Sequence, residues 1–451
     1  MNNSEKDLLR NMKKVLIVTY YFPPAGGPGI QRVLKFVKYL PAFGWEPVVL
    51  TVEKGDYPAL DDSLLREVPD SVPVYRSRIL EPYDLYRRFT HRRSDERVPV
   101  AVLAQHENLS LSERIARFVR ANLFIPDGRV GWIPFAVKEG VRAIRREGID
   151  VIFTSSPPQT VQLIGMCLKQ KTRLPWVADF RDPWTDISYY ADLPRCCLST
   201  SLDRGFERRV LRSADYVVTV SPSIVRLLQG RVENQYEVIP NGYDEESFRC
   251  KALEPPERFV ITYAGNLSRN QNPGALFEAV SLLASEDDAF SEDTELVFIG
   301  NSHPSIIETV ERRGLKGCFR QIGYVSHSEA VRRMMTSALL LLVIPDCPNN
   351  EGILTGKLFD YMRARKPILG IGPPGGDAAV ILRETGSGVM LDYRDVDSIR
   401  EHVAQVYGTW REGNVSAFTS DLTRIAPYSR ERLTQRLAKV FSRVCGAPSF
   451  S

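Results

Sequence analysis

The residues best suited to chemistry lie between Glu351 and Gly370, a stretch that reads EGILTGKLFDYMRARKPILG. A Thr-Gly-Lys turn opens a predicted amphipathic helix, which ends before Pro367 because the residue before proline is disfavoured in the α region. Free N–H groups and the helix dipole attract anions at a helix start, and Lys357 adds a cation there. The stretch therefore predicts a site for a nucleoside diphosphate.

Two series of strands and helices are predicted to position this stretch. The first begins with a buried strand at Lys14–Thr19, a glycine-rich turn, a helix and a second strand at Trp45–Val52. The second begins with a strand at Val260–Gly265. Alternating strands and helices are typical of doubly wound parallel sheets. We therefore predict an α/β protein with two Rossmann-like domains that face each other across a cleft, a favoured place for a ligand.

A change in composition sets the domain boundaries. Residues 245–257 are charged and contain prolines, so we interpret them as a linker. The first domain is predicted to span residues 1–244, together with a final helix at 428–451. The second, nucleotide-binding domain is predicted to span residues 258–427. No regular helical or strand pattern is evident from about Ile79 to Ile125.

Polar residues at the ends of first-domain strands are further candidates. Asp179, Arg181 and Asp182 follow a predicted strand, and ligands of open α/β sheets bind beyond such carboxyl ends. A local ion pair with a helix cap would explain the same residues. The turn at Ala25–Gly29 favours a close backbone approach to a phosphate or sugar. A plain tight turn is a weaker interpretation of the same residues. A dinucleotide-binding fingerprint is weaker still, because the glycine spacing does not match it.

Bulk composition narrows the class of protein. The formal charge of +4 over 451 residues argues against a dedicated nucleic-acid binder. Seven cysteines without a C-x-x-C pair predict neither a disulfide framework nor a zinc site, and favour a reducing, cytoplasmic setting. Tyr86–Arg93 mixes aromatic and basic residues, so it predicts a contact with an anionic membrane, a site for an anionic lipid-linked substrate, or a solvated helix face.

Several segments in order resemble the family 4-type glycosyltransferases with the GT-B fold. They are KVLIVTYYFPPAGGPGIQRV, WVADFRDPW, VIPNGYDEESF, YAGNLSRNQNPGALFEAV and GKLFDYMRARKPILG. The resemblance covers nearly the whole chain. It implies a retaining transfer of a sugar from a nucleoside diphosphate-sugar to an acceptor, often a growing, lipid-linked surface glycan. It also implies a final helix that packs back on the first domain.

The resemblance further implies roles for individual residues. Asp360 stands where the family has a glutamate that binds the ribose hydroxyls. Lys357 and the backbone at Thr355 and Gly356 would face the diphosphate. The first-domain glycines would approach the diphosphate or sugar, and two residues after a second-domain strand would lie near the base. These are Gly26, Gly27, Gly29, Tyr324 and Val325.

Two departures from the family pattern affect the predicted donor site. The first glutamate of the family's paired motif is replaced by Gly352. Glu351 is one position out of register, and it is still expected to contact the donor sugar. Asn266 and Asn272 stand where many members carry an arginine and a lysine. The phosphate charge is therefore expected to rest mainly on Lys357 and Arg269.

The expected chemistry needs no metal or other cofactor. No Asp-x-Asp follows a predicted strand, and pre-placed cations and N–H donors can stabilise a diphosphate leaving group. Asp179, Arg181 or Asp182 would then orient the acceptor or the sugar. A nucleotide-sugar epimerase, an inactive binding relative and a dinucleotide oxidoreductase remain alternatives, because one fold hosts many functions. The donor base, the sugar, the acceptor, the linkage and the oligomeric state are left open.

Overall fold

The chain divides into two compact units, the first formed by residues 1–240 with 433–451 and the second by residues 241–432. A computed structural model describes residues 12–57, 59–80, 111–187, 190, 193–249, 257–414 and 420–446. The predicted membrane segment Tyr86–Arg93 and residues 250–256 of the predicted linker lie outside the described residues. Of that linker, Glu245–Phe248 forms a 3-10 turn whose Phe248 is buried.

The first unit is built on one parallel sheet. Its strands are β1 (Lys13–Val18), β2 (Trp45–Val52), β3 (Val74–Ser77), β4 (Val151–Ser156), β5 (Trp176–Phe180), β6 (Tyr216–Thr219) and β7 (Tyr236–Val238). Their order in the sheet is β3-β2-β1-β4-β5-β6-β7. Its described helices are α1 (Pro28–Tyr39), α2 (Leu111–Leu123), α3 (Ile133–Glu147), α4 (Thr160–Thr172), α5 (Cys197–Ser213) and α6 (Pro222–Gln229).

Apolar side chains cover both faces of this sheet, as parallel strands require. On one face, α3 and α4 pack around the buried indoles of Trp132 and Trp176. On the other face lie α1 and the final helix, Arg430–Val444. Phe441 of that helix packs edge-on against Trp45 and Phe153, with ring centroids 5.3 and 5.5 Å apart. Residues 433–446 are thus held to the first unit by apolar burial.

The second unit repeats the design with a six-stranded parallel sheet. Its strands are β8 (Phe259–Ala264), β9 (Thr294–Ile299), β10 (Phe319–Ile322), β11 (Leu339–Val343), β12 (Ile368–Ile371) and β13 (Gly388–Leu391). Their order is β10-β9-β8-β11-β12-β13. Its described helices are α7 (Gly274–Glu286), α8 (Asp288–Asp293), α9 (Pro304–Arg312), α10 (His327–Thr336), α11 (Gly356–Ala364), α12 (Asp377–Thr385), α13 (Val396–Arg411) and α14 (Leu422–Ile425); the final helix is α15.

Both sheets reverse their strand order at one place. In the first sheet this switch point lies between β1 and β4, and in the second it lies between β8 and β11. The loops on either side of a switch point leave the sheet in opposite directions and open a crevice where ligands of α/β proteins bind. Candidate binding residues are therefore expected to lie at these two switch points.

The predicted α/β class with two Rossmann-like units is confirmed. The prediction of irregular chain from Ile79 to Ile125 is wrong for its last part, because Leu111–Leu123 is helical. Its large apolar residues recur at helical spacing, and in the structure they lie on the exposed side of the helix. None of the described helices is long and apolar enough to cross a membrane.

Candidate active site

Lys357 lies at the switch point of the second sheet. It occupies the first turn of α11, which follows β11, and its side chain reaches across to β8. Its Nζ is 2.5 Å from Tyr263 Oη and 4.4 Å from the centroid of the Tyr263 ring. Tyr263 thus holds the ammonium group by a hydrogen bond and by its π face.

A glycine leaves room for the Lys357 side chain. Gly265 follows β8 with a φ of +130°, and a Cβ at this position would lie 2.4 Å from Lys357 Cε. Both the backbone conformation and the contact therefore require glycine. Burial lowers the pKa of Lys357 to about 8. No carboxylate of the described residues pairs with this lysine, so its charge is available to an anionic ligand.

The start of α11 also offers uncommitted hydrogen-bond donors. Thr355 is the N-cap residue, but its side chain makes no capping hydrogen bond. Its Oγ1 is buried and has no partner within the described residues. A Cβ at Gly356 would meet open space, and the first N–H groups of a helix have no partner inside it. A hydroxyl, N–H groups and an ammonium group therefore lie together on one helical turn.

Asp360 lies one turn further along the same helix. Burial raises the pKa of its carboxyl group, Asp244 adds to that effect, and the nearby His327 and Arg430 oppose it. Arg430 also donates a hydrogen bond of 2.9 Å to the carbonyl of Gly242. The carboxylate predicted to bind the ribose is thus half-buried between two basic side chains.

The two asparagines that replace the family's cations make protein contacts instead. Asn266 Oδ1 accepts a hydrogen bond of 3.0 Å from the backbone N–H of Asn301 and so joins the loops after β8 and β9. Asn272 Nδ2 donates to Thr309 Oγ1 over 3.0 Å. Arg269 is exposed in a 3-10 turn just after β8. Neither asparagine supplies positive charge to the switch point.

The remaining second-unit candidates also follow strand ends. Tyr324 comes after β10 and is 85% exposed, whereas Val325 packs partly into the core. Glu351 is exposed in the 3-10 turn after β11, and its neighbour Gly352 is buried. The place of the missing family glutamate is thus a buried glycine. Glu351 lies on a loop that Tyr393 holds by donating to the carbonyls of Ile344 and Pro345.

In the first unit, Asp179 is fully buried in an ion pair that the sequence did not indicate. Arg32 on α1 donates to both carboxylate oxygens, over 3.0 and 2.8 Å. The hydroxyl of Ser155 donates to Asp179 Oδ2 over 2.7 Å, and Arg32 also donates to the carbonyl of Pro240. Both oxygens of Asp179 are therefore occupied by protein donors.

Arg181 fastens the glycine turn of the first switch point. Its guanidinium donates to the carbonyls of Ser156 and Pro157 over 2.8 and 3.0 Å, and also to the carbonyl of Gly29. Gly26 donates its N–H to Ala59 and is packed against that segment. Gly27 has a φ of +109° and open space beside it, so it is the glycine of this turn that a ligand can approach.

Asp182 differs from its neighbours because no hydrogen bond of the described residues occupies its carboxyl group. Burial raises its pKa, and Arg181 beside it opposes that shift. The loop that follows is anchored by hydrogen bonds from Trp184 Nε1 to Asp203 and from Thr185 Oγ1 to Glu207, over 2.8 and 2.9 Å. Asp182 is thus held on a fixed loop at the end of β5.

Sequence reasoning missed the residues that position these groups. Tyr263, Gly265 and Arg32 each act on a partner about 90 or more positions away in the chain. The glycine after the strand in YAG was a signal for Gly265. An arginine among the apolar residues of α1 was a signal for Arg32.

Comparison with known proteins shows which protein family and which fold this chain is similar to. Residues 26–242 match the model of the glycosyl transferase 4-like domain. This match confirms the resemblance to family 4-type glycosyltransferases. The two described parallel sheets have the architecture of solved structures with the GT-B fold. The family and the fold support a transferase. No curated protein matches the chain in sequence.

Similar solved structures include a sucrose-phosphate synthase from Thermosynechococcus elongatus, with 14% identity, a TM-score of 0.65, and 97% of this chain and 100% of that chain covered. The Anabaena protein HepE, solved with UDP and glucose, has 14% identity and a TM-score of 0.61 over 95% and 99% of the two chains. A putative UDP-N-acetylglucosamine 2-epimerase from Listeria monocytogenes has 12% identity and a TM-score of 0.54 over 97% and 98%. At these identities the likeness concerns the fold.

Proposed function

We propose that this chain transfers a sugar, with retention, from a nucleoside diphosphate-sugar to a glycan or lipid-linked acceptor in surface polysaccharide synthesis. The observation that carries the proposal is the Lys357 ammonium group at the second switch point, beside the helix start with the uncommitted Thr355 hydroxyl. A diphosphate is the ligand class that such a cation and such N–H donors recognise. UDP and glucose bound to the similar HepE agree with this ligand class.

The proposed chemistry uses these groups on the leaving side of the reaction. The bond between the anomeric carbon and the diphosphate oxygen breaks, and negative charge grows on that oxygen. Lys357 and the N–H groups of α11 stabilise this charge. The acceptor hydroxyl oxygen forms the new bond, and its proton passes to a donor phosphate oxygen. We expect Asp360 to bind the ribose, Arg269 to support the phosphates, and Tyr324 and Val325 to lie near the base.

The first-unit candidates take different parts in the proposal. Asp182 has uncommitted oxygens and is the residue that we expect to orient the acceptor or the sugar. Asp179 and Arg181 are committed to protein partners, so we expect them to act as positioning residues for the glycine turn. Of the glycines in the turn, Gly27 would let the backbone approach the donor, since Arg181 occupies the space beside Gly29. Glu351 would contact the donor sugar.

A thermal-shift panel of UDP-, GDP- and other nucleotide-sugars tests donor binding. A ligand that binds only the folded state raises the melting temperature in proportion to the logarithm of its excess over Kd. We expect one base to raise it clearly more than the others, and free nucleoside monophosphates to raise it less. An equal response to all nucleotides, or none, would overturn the proposed donor site.

Two alternatives are separated by product analysis. An epimerase converts the donor without an acceptor, so incubation with the bound nucleotide-sugar alone would produce its epimer. A binding relative without activity is favoured by the buried Gly352 at the place of the family glutamate. Such a protein would bind the donor but would not increase nucleotide release when acceptors are added. Acceptor-dependent release supports the transferase.

Three further expectations belong to this proposal. Transfer is expected to proceed without a metal, with the diphosphate charge stabilised by Lys357 and the N–H groups of α11. Chelator-treated protein should therefore keep its activity. A cytoplasmic location, with peripheral contact of Tyr86–Arg93 at the membrane, remains a prediction from the sequence.

A further inference from the structure

Two helices of the first unit expose an apolar surface. On α2, Ile115, Phe118, Val119 and Leu123 recur at helical spacing and are all exposed, Leu123 at 72%. On α5, Leu198 and Leu202 are one helical turn apart and also exposed, Leu198 at 70%. Exposed leucines scattered singly are ordinary, but six large apolar side chains on two adjacent helices are not.

One asparagine joins the two helices. Asn122 of α2 donates to the carbonyl of Pro194 over 2.8 Å, and its Oδ1 accepts from the N–H of Cys196 and the hydroxyl of Ser199, each over 2.7 Å. Phe118 and Leu123 flank Asn122 in sequence, and Leu198 and Leu202 flank Ser199. The hydrogen bonds of Asn122 therefore hold the end of α2 beside the start of α5, the two places that carry Leu123 and Leu198.

The charge on α5 is distributed unevenly. Its two acidic residues, Asp203 and Glu207, are buried and pair with Arg195 and Arg231. Its exposed side carries arginines that have no partner among the described residues. These are Arg204, Arg208, Arg209 and Arg212. The surface therefore combines apolar side chains with four arginines that pair with no carboxylate of the described residues.

We propose that this apolar–arginine face, formed by the exposed residues of α2 and α5 named above, docks on the surface of an anionic lipid bilayer. Leucine, isoleucine and phenylalanine side chains enter the boundary between headgroups and acyl chains, while arginines at their border contact lipid phosphates. The proposal goes beyond the proposed function and does not depend on it, since none of the residues of this face is among those proposed to bind the donor or the acceptor.

The charge pattern favours a bilayer over other occupants. A second copy of the chain would bring the four arginines of both copies into one interface, because a twofold interface uses the same patch on both subunits. A bilayer with anionic headgroups complements both the apolar residues and the arginines. Dimer formation through this face is therefore an outcome that contradicts the proposal.

Sedimentation of the whole chain with vesicles tests the proposal. We expect it to bind vesicles of phosphatidylcholine with phosphatidylglycerol, and to bind phosphatidylcholine alone weakly. The substitutions Phe118→Ser, Leu123→Ser and Leu202→Ser together should abolish binding. Arg204→Gln, Arg208→Gln and Arg209→Gln together should weaken it by roughly tenfold or more.

A matched control changes exposed residues of the same kinds elsewhere in the first unit. Leu65 and Arg66 lie in a 3-10 turn beside α1, on the other face of the sheet. Leu65→Ser with Arg66→Gln should leave vesicle binding unchanged. Equal binding by all variants, or no binding of the unaltered chain to anionic vesicles, would overturn the proposal.

A second measurement uses the unaltered chain, so its result does not depend on whether the substituted chains fold. Cys196 and Cys197 are exposed beside Leu198. Their alkylation by a water-soluble reagent, followed by peptide mass spectrometry, should slow with anionic vesicles but not with neutral ones. An alkylation rate that anionic vesicles leave unchanged contradicts docking. If the substitutions on the face abolish self-association but not vesicle binding, the face is a dimer interface and the proposal is wrong. A nucleotide-sugar thermal shift in the same samples shows separately whether the proposed function fails.

Discussion

The two switch points have the same strand topology, but their polar side chains differ in how far protein partners occupy them. At the first, between β1 and β4, Arg181 donates to three backbone carbonyls, and Arg32 and Ser155 occupy both oxygens of Asp179. At the second, between β8 and β11, Lys357 is held by one tyrosine, and Thr355 Oγ1 has no partner within the described residues.

The difference shows how one fold serves two tasks. A charge whose hydrogen bonds are all made by the protein fixes the backbone and offers nothing to a ligand. A half-buried cation with a lowered pKa and a buried hydroxyl without a protein partner cost free energy on folding, and a bound ligand can recover part of that cost. The first switch point is therefore interpreted as a positioned support and the second as the donor site.

The largest effect is expected from breaking the support. Asp179→Ala leaves Arg32 buried without its partner, which should cost about 3–5 kcal/mol of stability. Urea unfolding measures the loss. Replacing both residues by apolar ones, Arg32→Met with Asp179→Leu, should restore most of the stability, because no charge is then left unpaired. If Asp179→Ala were as stable as the unaltered chain, the first switch point would not be a structural support.

A similar loss, but of activity, is expected at the second switch point. Lys357→Ala removes the cation for the leaving group and should lower the transfer rate by about 100- to 1,000-fold, with a smaller thermal shift from the donor. Lys366→Ala, a half-buried lysine just beyond the same helix, is the matched control and should keep the rate. Full transfer by Lys357→Ala would exclude its role at the diphosphate.

The lowered pKa of Lys357 predicts a moderate dependence on pH. Only the protonated lysine attracts the diphosphate, and its pKa in the free protein is about 8. Donor affinity should therefore be highest below pH 8 and fall about tenfold for each pH unit above it, until the pKa in the complex is reached. Titration calorimetry across this range measures the fall. Lys357→Arg keeps its charge and should flatten the profile; an unchanged slope in that variant would assign the titration to another group.

The smallest effect is expected from the Thr355 hydroxyl. Thr355→Val removes a buried group that has no protein partner, so stability should remain equal or increase slightly. Donor affinity should fall by only a few-fold, since one neutral hydrogen bond is worth about 1 kcal/mol. Melting curves with and without donor report both quantities. A clear loss of stability without donor would show that the hydroxyl serves the fold instead.

The sequence predicted the parts of the fold that have a strong local pattern. The apolar strands and the helix at Val396 were identified because their residues recur with a regular period and are buried. The helices Leu111–Leu123 and Asp377–Thr385 were not predicted, and the large apolar residues of the first are exposed in the structure. Which side of a helix is buried depends on its contacts with distant segments, and the local sequence pattern carries no information about those contacts.

Residue types and spacing alone placed a cation and a carboxylate on one predicted helix, Lys357 and Asp360, and located Asp179 and Arg181 at a strand end. They did not show whether those groups are committed to partners. Tyr263 and Gly265 lie more than 90 positions before Lys357, and Arg32 lies 147 positions before Asp179. Only the folded sheets bring these residues together, because parallel strands place the ends of distant segments at one edge. The sequence determined which charged groups exist, and the tertiary structure decided which of them remain available to a ligand.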